Sequence, residues 1–265
     1  MIRPGATRPG SSVAAFLLAA CLLGLPGWSV AAPSPPTDQE AVAILRAVDD
    51  LWRAGSSSGT LRMEVKTAHY TRTLVMDVWS KGKEKSLVRI VSPLKEKDTA
   101  SLKDGRAMYT YLPATDRTIR LTSAMMMASW MGSHLTNDDL VKESRLSDDY
   151  SPAITFRGER RGQRIIEFTL TPHPEAAVVW GKIVMEVTEQ DHLPIIGFYY
   201  DEDGKQARAI HFTEIRKMGG RMLPTVLRVI PVDKPGEHTE LVYQTLRFDL
   251  DLPDSLFSLL SLRSR

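Results

Sequence analysis

From residue 61 onward the chain alternates between apolar and polar positions. Leu61, Met63 and Val65 interleave with Arg62, Glu64 and Lys66, the pattern of a strand with one face buried and one in water. The same period recurs over 73–80, 86–91, 107–112, 165–170, 209–217 and 239–250, among others, and predicts about eleven strands. Between these segments lie Lys81-Gly82-Lys83, Asp104-Gly105, Arg160-Arg161-Gly162, Asp203-Gly204 and Gly219-Gly220, which are tight-turn sequences. Strands joined by hairpins run antiparallel. Nothing in the order alternates strand with helix as a parallel sheet would require.

Helical spacing appears in few places. Over 38–54, after a Thr37 or Asp38 cap, Ala41, Ile44, Leu45, Val48, Leu51 and Trp52 fall on one face. Gly55 would end this helix, and Ser56-Ser57-Ser58-Gly59 reads as a loop. The second place is the stretch 105–145. Met108-Tyr109-Thr110-Tyr111-Leu112 alternates as a strand, Pro113 and Ala114-Thr115-Asp116 mark a turn, and Thr118–Leu121 can pair back. Ser123–Met131 then has no breaker and predicts a short helix behind a Thr122 or Ser123 cap, stopped by Gly132. Thr136-Asn137-Asp138-Asp139 opens another, with acids in its first turn. Ser255–Leu262 predicts a terminal helix. The helices must bury their apolar faces, and a long curved sheet can either wrap them or split into a sandwich. The expected fold is mainly β (α+β): a curved antiparallel sheet forming a half-open barrel, covered by the N-terminal helix and short lid helices.

Residues 1–32 read as a cleavable export signal. Arg3 and Arg8 precede the apolar run Val13–Leu25, and Val30-Ala31-Ala32 is a small-residue cleavage site. Removing that segment leaves 32 basic and 32 acidic residues, so charge gives no reason to expect a nucleic-acid partner. The alternative is a lipoprotein: Leu18-Ala19-Ala20-Cys21 fits lipid modification of Cys21, the single cysteine. Either way no disulfide can hold the exported domain. Residues 33–37 are a proline-rich lead-in, and 38–265 read as one domain in the periplasm.

Catalytic patterns are missing from the sequence. The six histidines are scattered, and there is no His-Glu-x-x-His, Gly-x-Ser-x-Gly or phosphate-binding loop. Ser133 and His134 are neighbours, but adjacency does not make a nucleophile–base pair. Asp138-Asp139 suits a helix start better than a metal pair, and Asp201–Gly204 suits a hairpin better than a calcium loop. The basic run Arg157–Arg164 is a solvated hairpin end or a docking site for an acidic partner. The reading is a non-enzyme without cofactor or metal.

The positive signal is apolar and adaptable. Four methionines fall between Met125 and Met131, beside Trp130; such side chains either fill a core or line a surface that accepts irregular apolar partners. A segment able to lift away would expose a cavity lined by Leu61, Met63, Val65, Leu74, Met76, Val78, Ile183, Met185 and Val187, with Tyr109, Tyr111, Met126, Trp130 and Met131 at its lid and mouth.

The order Tyr111-Leu112-Pro113-Ala114, Arg117, Arg120, Ser129-Trp130-Met131-Gly132-Ser133 and Thr136-Asn137-Asp138-Asp139-Leu140, with Asp251–Phe257 later, resembles the signature of the outer-membrane lipoprotein-sorting (LolA-like) family. Leu112, Pro113, Met131, Gly132, Ser133, Asp138, Asp139 and Leu140 carry the motif. His134 stands where the family often has an acid, and Trp130 where it often has Phe. The resemblance implies a half-barrel that carries lipid or lipoprotein acyl chains from an inner-membrane transporter to an outer-membrane acceptor, as a monomer. In well-known members of that family an arginine inside the barrel latches the lid; Arg72, Arg89 and Arg120 are candidates for that position, and the role is carried over to none of them. The alternative is a non-carrier envelope protein that docks a membrane transporter complex.

Overall fold

The structure is a computed structural model and describes residues 38–142, 146–176 and 178–263; the signal segment, Cys21 and the proline-rich lead-in lie outside them. Its framework is one antiparallel sheet of thirteen strands. The strands are β1 (Ser56–Lys66), β2 (Thr71–Lys81), β3 (Lys85–Ser92), β4 (Ala100–Asp104), β5 (Ala107–Leu112), β6 (Arg117–Arg120), β7 (Tyr150–Arg160), β8 (Gln163–Pro172), β9 (Lys182–Thr188), β10 (Pro194–Tyr200), β11 (Gln206–Met218), β12 (Arg221–Pro231) and β13 (His238–Phe248). Two exceed the expected eleven.

The spatial order is β6-β5-β4-β3-β2-β1-β13-β12-β11-β10-β9-β8-β7. Every neighbour is a hairpin partner except β1 and β13, which join the two meanders. This order has a consequence for the segment between β6 and β7. Those two strands are the opposite edges of the sheet, so the chain must travel from one edge to the other, and it does so over the concave face. That crossing, described over residues 121–142 and 146–149, is called the strap below.

Helix α1 (Asp38–Asp49) is shorter than its apolar stripe suggested. Ala54 adopts φ 50° and turns the chain into β1, so Ser56–Gly59 is strand rather than loop. The stripe still does what its spacing predicts: Ala41, Ile44, Leu45, Val48 and Trp52 are buried in the main core. Trp52 donates its Nε1–H to the Pro224 carbonyl at 3.0 Å and stacks near Phe212 and Tyr243.

The expected helix over Ser123–Met131 does not form. It is replaced by two 3₁₀ turns, Ser123–Met125 and Trp130–Gly132. Met131 has φ 50° and Gly132 φ 66°, and Ser129 bridges Thr136 as in a miniature hairpin. Helical propensity over nine residues is worth too little to resist these tertiary bonds. After it come α2 (Asn137–Lys142) and α3 (Leu146–Asp149).

A second, smaller core lies on the convex face. Leu87, Ala100, Leu102 and Tyr111 meet Phe257 and Leu262 of the C-terminal segment, which forms a 3₁₀ turn (Asp254–Phe257) and α4 (Leu259–Arg263). Tyr111 pairs in register with Ala100, and Tyr109 with Leu102. Both tyrosines therefore face outward, away from the cavity they were expected to line. Side chains alternate along a strand, so their parity with Leu102 decides the matter.

Candidate functional site

Under the strap and α1 lies a cavity of ≈ 180 Å³. Of the expected residues, Leu61, Met76, Val78, Trp130, Ile183 and Met185 line it. Met63, Val65, Leu74 and Val187 belong to the same core and are fully buried, but they pack around the space without lining it. Phe212, Leu227, Leu241 and Tyr243 complete the apolar wall from the β11–β13 side. The methionines of the strap divide: Met125 and Met127 are exposed, Met126 is half-buried, and Met131 packs on the core. Only Trp130 of this group points into the cavity.

Four side-chain fastenings hold residues 130–139 of the strap down, and Asp49 and Lys83 hold its 146–149 end. Trp130 donates its Nε1–H to Ser101 Oγ at 3.2 Å, while its backbone N–H bonds the Leu135 carbonyl. Tyr70 Oη donates to the Gly132 carbonyl at 2.9 Å. His134 sits between Thr239 Oγ1, 2.9 Å from Nδ1, and Glu237 Oε2, 2.9 Å from Nε2. The hydrogen bonds from His134 and the Ala68 backbone N–H hold the Glu237 carboxyl below its usual range. The fourth is an ion pair. Arg208 bonds both oxygens of Asp139, at 2.6 and 2.5 Å, and donates to the His134 carbonyl at 3.2 Å.

The pair is largely removed from water, with side-chain exposures of 4% for Arg208 and 16% for Asp139. The guanidinium carbon lies 4.3 Å from the Trp180 ring centre and 4.6 Å from that of Tyr199, a stacking that suits the weakly hydrated guanidinium. Burial opposes ionisation of Asp139, but Arg208 and the Thr136 N–H outweigh it and leave the carboxyl below its ordinary range. Asp139 also accepts the Thr136 N–H as a helix cap at 2.6 Å, so the capping role read from sequence and the ion pair coexist.

Arg208 went unnoticed in the sequence, although a signal existed. It shares the inward phase of β11 with Ile210 and Phe212, both of which line the cavity. A charge at an inward position of a strand needs a partner. The arginines considered from sequence have other roles. Arg72 pairs with Glu96 at 3.6 Å, Arg89 donates to the Ser261 and Leu262 carbonyls, and Arg120 is exposed.

Ser133 and His134 face different partners: the serine hydroxyl donates to the Trp130 carbonyl, and the ring is held by Thr239 and Glu237. The basic hairpin end is charge-balanced. Arg160 meets Glu167 and Glu186, Arg161 meets Glu186, Arg164 meets Glu189, and Arg157 meets Glu40. Among the described residues no group of three His, Cys, Asp or Glu converges on a metal position. No helix among them is long and apolar enough to cross a membrane.

Solved structures of the same architecture are known. An outer-membrane lipoprotein-sorting protein domain from Vibrio parahaemolyticus is 20% identical, with a TM-score of 0.76 over 86% of this chain and 100% of that one. A DUF1329 family protein from Desulfovibrio piger is 22% identical, with a TM-score of 0.77 over 84% and 98%. A LolA superfamily protein from Nitrosomonas europaea is 23% identical, with a TM-score of 0.71 over 82% and 97%. At these identities the likeness establishes the fold. No curated protein matches the chain. A family profile described only as an uncharacterized protein spans residues 82–264, which takes in the sheet from β3 onward, the strap and the C-terminal segment; the chain belongs to that family, and its fold is the one seen in outer-membrane lipoprotein-sorting (LolA-like) proteins.

Proposed function

We propose that this protein is a periplasmic carrier that shields lipid or lipoprotein acyl chains between the inner and outer membranes. The observation that carries the reading is the apolar cavity beneath a crossing segment fastened by side chains and not by continuous sheet or helix. Such a segment can lift without unfolding the sheet. An apolar cavity of about 150 Å³ accepts a ring-sized guest, so the closed space is a seed for an acyl chain and a longer chain must displace the strap. Each methylene buried would contribute about 0.8 kcal/mol. Handover then needs an acceptor of lower free energy and no catalytic group. By family resemblance the donor would be an inner-membrane transporter and the acceptor an outer-membrane protein, with the carrier a monomer between them. The balanced charges at the β7–β8 hairpin give no support to the docking-protein alternative.

Native mass spectrometry of the mature protein from envelope extracts tests this, followed by lipid analysis after denaturation. A stoichiometric lipid or acylated protein is expected, together with uptake of fluorescent acyl probes. A clean apo mass and no probe uptake would overturn the reading.

A further inference from the structure

A second space of ≈ 180 Å³ adjoins the cavity where the strap meets the ends of β11 and β12. Met127, Ala207 and Pro231 give it apolar walls, and Arg208 and Lys234 stand at it. Leu135 and Trp180 line both spaces, so these two side chains form the partition between them. They are 8% and 9% exposed. The Trp180 ring is held from several sides. The Arg208 guanidinium lies over it, and Tyr199 packs against it edge-on with ring centres 5.5 Å apart. The Trp180 backbone carbonyl accepts the Tyr150 hydroxyl at 3.1 Å.

This firmly held ring carries an unused donor. Trp180 Nε1 is buried and has no hydrogen-bond partner among the described residues. Trp52 and Trp130, which are also buried and line the cavity, each place their N–H on a protein acceptor. A buried indole N–H ordinarily finds such a partner, and leaving it unmade costs the desolvation of the donor. The Nε–H of Arg208, on the outer space, is likewise buried and without a partner among the described residues. The charges of the inner wall indicate which acceptor fits. Asp49, Asp138 and Asp139 outnumber Arg53 there, which favours a neutral oxygen over a carboxylate.

We propose that the partition is a carbonyl subsite: Trp180 donates its Nε1–H to the carbonyl oxygen of a fatty acyl ester or amide. The hydrocarbon tail fills the inner cavity, and the rest of the ligand leaves through the outer space past Met127. This rests on the carrier reading and narrows its cargo to a fatty chain joined to a further group through a neutral linkage, in preference to a free acid or a bare hydrocarbon. The donor left over in the empty protein finds its acceptor in the loaded one, and the carbonyl fixes how far the tail enters.

The test compares methyl laurate with dodecyl chloride, which has the same chain and no carbonyl, as competitors of a pyrene-labelled acyl ester on the full mature chain. A hydrogen bond to an otherwise unpartnered donor is expected to favour the ester by about tenfold. Trp180→Phe keeps an aromatic face for Arg208 and removes the donor. In that variant the ester's advantage should fall to near one, while dodecyl chloride binds within about twofold of wild type. The wild-type indole N–H resonances carry the same test without a variant. The Trp180 signal, identified by its proximity to the Tyr199 ring, should move downfield and exchange more slowly with methyl laurate and not with dodecyl chloride. Equal binding of the two ligands with no ester-specific shift of that signal would overturn the carbonyl subsite and leave the carrier reading standing. So would an ester preference that survives in Trp180→Phe. Failure of both ligands to bind the wild type would remove both.

Discussion

Replacing Asp139 by asparagine asks whether the Arg208 pair is what keeps the strap closed. The substitution keeps the shape and one acceptor oxygen but removes the carboxylate charge that Arg208 bonds directly, and leaves the guanidinium, at 4% exposure and against two aromatic rings, with the more distant Asp138. Removing one member of a buried ion pair costs about 3–5 kcal/mol; the retained oxygen puts this case near the lower figure. If that energy belongs to the strap, its opening constant rises about a hundredfold. The amides to follow are His134, Leu146 and Ser147, whose N–H groups bond acceptors outside the strap, Thr239 Oγ1 and the Asp49 carboxylate. Their hydrogen exchange should accelerate by that factor, while amides of β1 and β2 change only as far as global stability does. A ligand that binds the open form gains apparent affinity in proportion to its population, so acyl probes should bind more tightly to the variant.

The pH dependence carries its own sign. The folded-state carboxyl lies below its unfolded value. The pair's stabilisation is therefore fully present above the ordinary aspartate range and is lost as pH falls through the depressed folded value. The difference between wild type and Asp139→Asn should be the same at pH 7 and pH 5. Strap exchange in the variant within about threefold of wild type, with probe affinity unchanged, would refute the latch.

Asp49 should behave in the opposite sense. Burial raises its pKa to about 6, against the pull of the Ser147 and Leu146 N–H groups and Lys83, so protonation favours the folded state. Stability should fall as pH rises from about 4 to 6, by roughly 3 kcal/mol at most, and Asp49→Asn should flatten that slope in urea titrations. Gly132→Ala places a side chain at φ 66° with its Cβ 3.1 Å from Tyr70 Oη. About 1 kcal/mol of backbone strain predicts a melting temperature lower by about 2–4 °C and faster exchange at Ser133. Val78→Phe fills part of the cavity from a half-buried position; stability should change by less than about 1.5 kcal/mol, and acyl-probe binding should drop at least about tenfold. Unchanged probe binding there would place the ligand elsewhere. In a series of saturated acids of increasing length, affinity should rise by up to about fourfold per methylene once the chain exceeds the closed cavity, and a flat series would refute burial of the tail.

What could be read from the chain in advance follows from the range of the forces involved. The alternation of Leu61, Met63 and Val65 and the turns at Gly105 and Gly204 are local, and they placed the strands and hairpins. So did the stripe from Ala41 to Trp52, whose buried face was correct although its helix stopped at Asp49. The methionine segment was misread because nothing local opposes a helix there. The opposing bonds come from Ser101, Tyr70 and Thr239, which are distant in sequence. Tyr109 and Tyr111 were given the wrong face because a short strand's phase depends on its neighbour's register, and the convex partner, Phe257, is more than a hundred residues away. Arg208 was hidden for the same reason, since Asp139 explains itself as a cap until β11 is folded beneath it. Ser57, Ser80 and Ser86 are the furthest from local view: each is ordinary on its own strand, and only the pairing of β1, β2 and β3 sets them side by side.

The size of the cavity and the strength of the fastenings belong together. A space of ≈ 180 Å³ is too small for a long acyl chain, so the empty protein can be closed and dry, with little apolar surface left in water. Opening it exposes that surface and breaks an ion pair and several hydrogen bonds, a cost of a few kcal/mol. About four to six buried methylenes would offset that cost. Longer chains would then bind with a modest surplus, and short apolar solutes would not displace the strap at all. A tighter strap would refuse the cargo, and a looser one would leave Trp130 and the cavity wall exposed to unwanted association. Fastening by separate side chains, each worth about 1–3 kcal/mol, places the closed state within reach of acyl-chain binding in a way that another sheet strand across the mouth would not.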